Sequence, residues 1–162
     1  MRSKGILIDS DTLTKWIINS PGSPPIIRAL DIEPDVVMYA CFTAEPDLHM
    51  TLRFTSSFIA EEHSPEIASS FQERVEAYIE AYFRDTLNVR YASEDMCRRW
   101  VALACDEPVH SEANREHLWT IICAQQLRDS RCDVTIAAEE PHIYQAYKDA
   151  GFLDEIEILQ RV

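Results

Sequence analysis

The sequence predicts an α/β protein: a three-layer α/β/α sandwich around a central, mainly parallel sheet, with residues 1–162 forming a single domain. Short apolar runs alternate along the chain with longer stretches of helical periodicity. Strands separated by helices need crossover connections, which pair the strands in parallel and cover both faces of the sheet. The chain of 162 residues, 46% hydrophobic and 27% charged, has the size and composition of one globular core.

The elements follow in order. Ile6-Leu7-Ile8 reads as a short buried strand running into Asp9-Ser10-Asp11. Leu13, Trp16 and Ile17 recur at helical spacing until Pro21-Gly22-Ser23-Pro24-Pro25 ends that helix. Residues 34–46, PDVVMYACFTAEP, fit a strand or a short helix equally well. Leu48 to Phe54 alternates as LHMTLRF and is expected to be the second strand, with Ser56 or Ser57 capping a helix over TSSFIAEE.

Ser64-Pro65 opens the clearest helix, with Ile67, Phe71, Val75, Tyr78, Ile79 and Tyr82 on one stripe and Glu73, Glu76, Glu80 and Arg84 off it. Residues 87–91 suggest a brief strand. Ser93-Glu94-Asp95 starts a helix carrying Cys97, Trp100, Val101 and Ala104. A polar link, CDEPVHSEANREH, leads into the buried helix LWTIICAQQL. Val134 to Ala138 is the next strand, and Glu139-Glu140-Pro141 begins a helix that Gly151, able to take positive φ, closes. Ile156 to Leu159 is the last strand.

Composition excludes several functions. A net charge of −13 argues against a plain binder of nucleic-acid backbone, which would be basic. It leaves an acidic metal site, an acidic surface facing a basic partner, or solubility alone. The three glycines, Gly5, Gly22 and Gly151, are too far apart for a glycine-rich phosphate cradle. The five cysteines form no CxxC pair, and four lie in or beside apolar patterns, so buried free thiols in a reducing compartment are expected. No run approaches the roughly 20 apolar residues of a membrane span, and the N-terminal apolar stretch is short for a secretory signal. A cytoplasmic protein is expected.

In open parallel sheets the chemistry sits beyond the carboxyl ends of the strands, where Asp9 falls. Asp11, Glu61, Glu62, Glu112, Glu116, Glu139 and Glu140 lie near other junctions. Carboxylates gathered in one cleft stay ionised when a divalent cation holds them, and Mg²⁺ or Mn²⁺ held this way activates water against a phosphodiester. Acids at such junctions also cap helices, for about 0.5–2 kcal/mol each.

ILIDSDTLTKWI resembles the opening of the PIN-domain nucleases, where a strand ends in aspartate, a small hydroxyl residue follows and a helix begins. PDVVMYACFTAEPDLHMTLRFTSSFIAEE resembles their second helix, second strand and glutamate-bearing third helix. ASEDMCRRWVALA is similar to the helix that toxin ribonucleases of this kind carry before the next acidic motif. HLWTIICAQQLRDSRCDVTIAAEE resembles their fourth-motif region.

The resemblance implies a metal-dependent endoribonuclease acting on single-stranded RNA, with a protein inhibitor of the antitoxin type as partner. It implies Asp9, Glu61 and Glu116 as catalytic metal ligands, with Glu139 as a further ligand after the last core strand. The chain departs from the pattern at the third position, where an aspartate usually leads the apolar helix and His117 stands instead, one residue after Glu116. Either Glu116 serves from a shifted position, or His117 ligates directly, or the site is weakened.

Three alternatives belong to other classes. An acidic adaptor or inhibitor would present carboxylates to a basic protein partner. Asp9-Ser10-Asp11 is similar to the DxDx[TV] loop of haloacid-dehalogenase-like phosphatases, but Leu13 stands where Thr or Val belongs. DVTIAAEEPHIYQAYKDAGF looks like the end of acyl-CoA N-acetyltransferases, but HSEANREH lacks their pyrophosphate-binding glycines. Tyr144, Tyr147 and Phe152 are expected to pack in the core, and the remaining histidines to lie at the surface or at caps.

Overall fold

The computed structural model describes residues 2–19, 35–105 and 115–159, excepting the side chains of Trp16, Asn19, Arg115 and Glu116. The expectations for Pro21 to Pro25, His110 and Glu112 lie outside the described residues. Strands β1 (Ser3–Ile8), β2 (Val36–Cys41), β3 (Leu87–Arg90), β4 (Cys132–Ala137) and β5 (Glu157–Leu159) form one sheet in the order β3-β2-β1-β4-β5. Every pairing is parallel. The helices are α1 (Ser10–Asn19), α2 (Ala44–Glu62), α3 (Pro65–Asp85), α4 (Glu94–Ala104), α5 (Arg115–Asp129) and α6 (Pro141–Asp149). This is the expected α/β class, a wholly parallel sheet between helical layers.

The strands' period of two separates the layers. Leu7 joins Cys41, Val134 and Ile136 in a core with α4, α5 and α6. Its neighbour Ile8 faces the other way and joins Met38, Ala40 and Ala137 in a core with α1, α2 and α3. Gly5 in β1 is required by a close approach: a Cβ there would lie 2.7 Å from the Tyr39 ring and 2.9 Å from Cys132 Sγ.

The chain steps outward from β1 through β2 to β3, then returns to β4 on the other side of β1. That reversal makes the carboxyl ends of β1 and β4 the switch point, where parallel sheets form a crevice for ligands.

Residues 36–41 are a strand, which resolves the ambiguity there. The expected strand at Leu48 to Phe54 is instead the middle of α2. LHMTLRF alternates on paper, but the buried residues are Leu48, Leu52 and Ser56, spaced at four, while Met50 and Phe54 are exposed. Helix packing decided the face, and the exposed pair mimicked a two-residue period. The cap expected at Ser56 or Ser57 falls inside the same helix.

Ser64 does cap α3, its Oγ accepting from the Ile67 amide at 3.1 Å, and Ser93 caps α4 likewise. The buried side of α3 is Ala68, Val75 and Ile79, with Ile67 exposed. On α4, Met96 and Leu103 are buried, while Val101 and Cys97 are exposed. Cys41, Cys123 and Cys132 are the buried free thiols among the described residues. Gly151 has φ of +91°. Its amide bonds Lys148 O, and the Phe152 amide bonds Tyr147 O, the paired bonds of a left-handed helix stop.

Candidate metal centre

Asp9 is the first residue beyond β1 and the N-cap of α1. Its Oδ1 accepts from the Thr12 amide at 3.1 Å, and the Thr12 hydroxyl lies 3.4 Å from the same oxygen. One carboxylate oxygen therefore anchors the helix, where it also meets the positive end of the helix dipole. The other, Oδ2, accepts the hydroxyl of Tyr144 in α6 and lies 3.8 Å from His117 Nε2.

His117 sits in the first turn of α5, with Nε2 also 3.6 Å from Oδ2 of Asp11. Asp9 and His117 are both only 4% exposed, whereas the Asp11 side chain is 55% exposed. One ligand atom from each of Asp9, Asp11 and His117 lies within 4.8 Å of the others. Among the described residues this is the group able to hold a metal ion.

The site is tied across the switch point. The Glu139 amide, just past β4, donates to Thr12 Oγ1 at 2.9 Å, and the Asp9 amide donates to Ala137 O at 3.0 Å. The Ser10 and Thr43 hydroxyls are 3.4 Å apart, which brings the start of α2 beside the start of α1.

Burial raises the Asp9 pKa above its ordinary value. The Tyr144 hydroxyl, the positive charge His117 carries when protonated and the Thr12 amide pull it back, while the Asp11 charge adds to the rise. Tyr144 is held well above the usual phenol range by burial and by the Asp9 charge beside it.

The sequence-predicted residues fare unequally. Asp9 lies at the centre. Glu116 is in the first turn of α5, and its side chain lies outside those described. Glu139, just past β4, is exposed, and its carboxylate pairs with Lys15 Nζ at 2.8 Å.

Glu61 is not brought to the cluster. It is exposed in the last turn of α2, about 25 Å along the helix from the end that meets the site, at 1.5 Å per residue. The expected strand break before TSSFIAEE had placed it at a helix start. Because α2 is continuous, Glu45 and Asp47 occupy its first turn instead.

Two residues of the site stand outside the ligand set that the resemblance implied. Asp11, one of the acids after the first strand, is on the first turn of α1 and meets His117. Tyr144 is buried as expected of a core residue, but its hydroxyl is committed to Asp9. A phenol at a helical core position carries a polar tip that needs a partner, and that was the available signal.

One imidazole nitrogen and two carboxylate oxygens form a donor set suited to a divalent ion.

Among solved structures, the chain is similar to VapBC-1 from nontypeable Haemophilus influenzae, determined at 2.2 Å. The TM-score is 0.58 at 13% identity, over 96% of this chain and 96% of that chain. No protein-family model matches the chain, and no curated protein matches it. The likeness defines the fold.

Proposed function

We propose that the protein is a metal-dependent endoribonuclease of the PIN-like type, hydrolysing single-stranded RNA. The observation that carries this reading is the approach of buried Asp9 to His117 and Asp11 at the switch point of a parallel sheet. Asp9, Asp11 and His117 hold the ion. Glu139, beyond β4, is a further carboxylate of the same region, and Glu116 adjoins His117 in sequence.

The bound divalent ion supplies a water of lowered pKa and neutralises charge on the scissile phosphodiester. The protein's own part is positional. Thr12 and Tyr144 fix the two Asp9 oxygens, so the carboxylate faces His117 in one rotamer. Asp11 is the exposed member, through which ion and substrate enter.

His117 takes the place of the third aspartate directly. Convergence of three ligands in a crevice favours this reading over an acidic adaptor, which would spread its charges over a convex face. The likeness to VapBC-1 supports an antitoxin-like protein partner.

Asp9→Asn tests the reading, since asparagine caps a helix as well as aspartate does. Cleavage of single-stranded RNA with Mn²⁺ should be abolished while the circular dichroism spectrum is unchanged. Full activity in that variant removes the catalytic role.

A further inference from the structure

We infer that Asp9, Asp11 and His117 select a borderline transition ion of the Co²⁺/Zn²⁺ class over Mg²⁺. This rests on the reading of the cluster as a metal centre and adds the identity of its ion.

The donor set makes the first argument. Mg²⁺ is a hard ion that prefers six oxygens and keeps several waters, and it gains little from an imidazole. Co²⁺ and Zn²⁺ bind imidazole strongly and accept carboxylates beside it.

Spacing makes the second. His117 Nε2 stands 3.6 Å and 3.8 Å from the two carboxylate oxygens. Donors around a four-coordinate ion at ordinary bond lengths are about 3.4 Å apart. Adjacent donors around a six-coordinate Mg²⁺ are about 3.0 Å apart. The wider arrangement needs the smaller contraction.

Burial makes the third. Asp9 and His117 are enclosed, so open solvent is available on the Asp11 side alone of the three. Oδ1 of Asp9 accepts from Thr12 and Oδ2 accepts the Tyr144 hydroxyl, so Oδ2, the oxygen nearer His117, offers an ion its remaining lone pair. Two enclosed ligands whose Asp9 oxygens already carry hydrogen bonds suit an ion of low coordination number.

The test is a titration of Co²⁺ into the purified protein, read by the visible absorption of the ion rather than by activity. The expected result is intense bands of low-coordinate Co²⁺, displaced by stoichiometric Zn²⁺ but not by a hundredfold excess of Mg²⁺. His117→Gln should weaken Co²⁺ by at least about tenfold, and His117→Asp should shift preference toward Mg²⁺. Asp11→Asn, at an exposed position, should weaken binding without affecting folding.

If Mg²⁺ displaces Co²⁺ as readily as Zn²⁺ does, or His117→Gln leaves Co²⁺ binding unchanged, the selectivity is overturned and the metal centre stands. If neither Co²⁺, Zn²⁺, Mn²⁺ nor Mg²⁺ binds, calorimetry will show no heat for any of them. Both this inference and the nuclease reading then fail.

Discussion

Tyr144 donates its hydroxyl to Oδ2 of Asp9 from 135 residues further along the chain. The bond joins α6, which follows β4, to the junction of β1 and α1, so it spans the crevice at the switch point. It gives a buried carboxylate a donor where no water is needed, and it turns the oxygen toward His117. A polar group this deeply enclosed would be costly without such a partner.

Tyr144→Phe should keep the fold, because the ring stays and only the hydroxyl is lost. Leaving Asp9 short of a donor should cost about 1–3 kcal/mol at neutral pH, measured by urea unfolding. Metal affinity should fall by about 10–100-fold, as when an outer-shell partner is removed. A variant with native stability and native affinity would show the bond to be dispensable.

Asp9→Asn should raise the thermal stability of the metal-free protein at neutral pH. The Asp9 pKa is higher in the folded protein than its ordinary 3.8. The unfolded chain therefore ionises first as pH rises, and stability is lost between 3.8 and the raised folded value. Below 3.8 the two proteins should differ little, and above the folded value the variant's advantage should be constant. Saturating Co²⁺ should reverse the order, because only the wild-type carboxylate gains from the ion. Melting curves between pH 3 and pH 8, with and without metal, would show it.

Cys41, at the end of β2, lies 3.3 Å from Cys123 Sγ in α5. The Cys123 thiol donates to it and lowers the Cys41 pKa to about 7, while the same hydrogen bond, then burial and the Cys41 charge, push Cys123 up. The native protein should gain thiolate absorbance in the ultraviolet near pH 7, and Cys123→Ala should move that rise upward. A folded pKa of about 7 against an ordinary 9 adds stability that is fully present above pH 9. That contribution is lost as pH falls through 7. Unchanged absorbance between pH 6 and pH 8 would contradict the pairing.

Leu52→Ala and Phe54→Ala separate the two readings of residues 48–54. Leu52 is 1% exposed and Phe54 is 65% exposed. Leu52→Ala should cost about 2–5 kcal/mol, and Phe54→Ala less than about 0.5 kcal/mol. Comparable large losses at both positions would mean that this segment is not the helix described.

The apolar run at 6–8 and the largely apolar run at 134–138 are strands because a strand covered on both faces is apolar almost throughout, and that is visible without coordinates. The helix begun by Ser64-Pro65 was equally readable, since capping is local chemistry between residues three apart. Residues 48–54 were misread because alternation and helical spacing overlap in so short a segment. Only the burial of Leu48 and Leu52 in the core shared with β1, β2, α1 and α3 chose between them. Glu61 was misplaced with them, because a helix start put at the wrong residue moves its carboxylate to the wrong end.

By itself the sequence determined an alternating α/β chain whose first strand ends in a carboxylate. These are consequences of hydrophobic period and capping, which act within a few residues. The tertiary structure decided that Asp9 would meet Asp11, His117 and Tyr144, and that Glu61 would stand far away. Such contacts depend on how the strands are ordered across the sheet, and no local pattern carries that order.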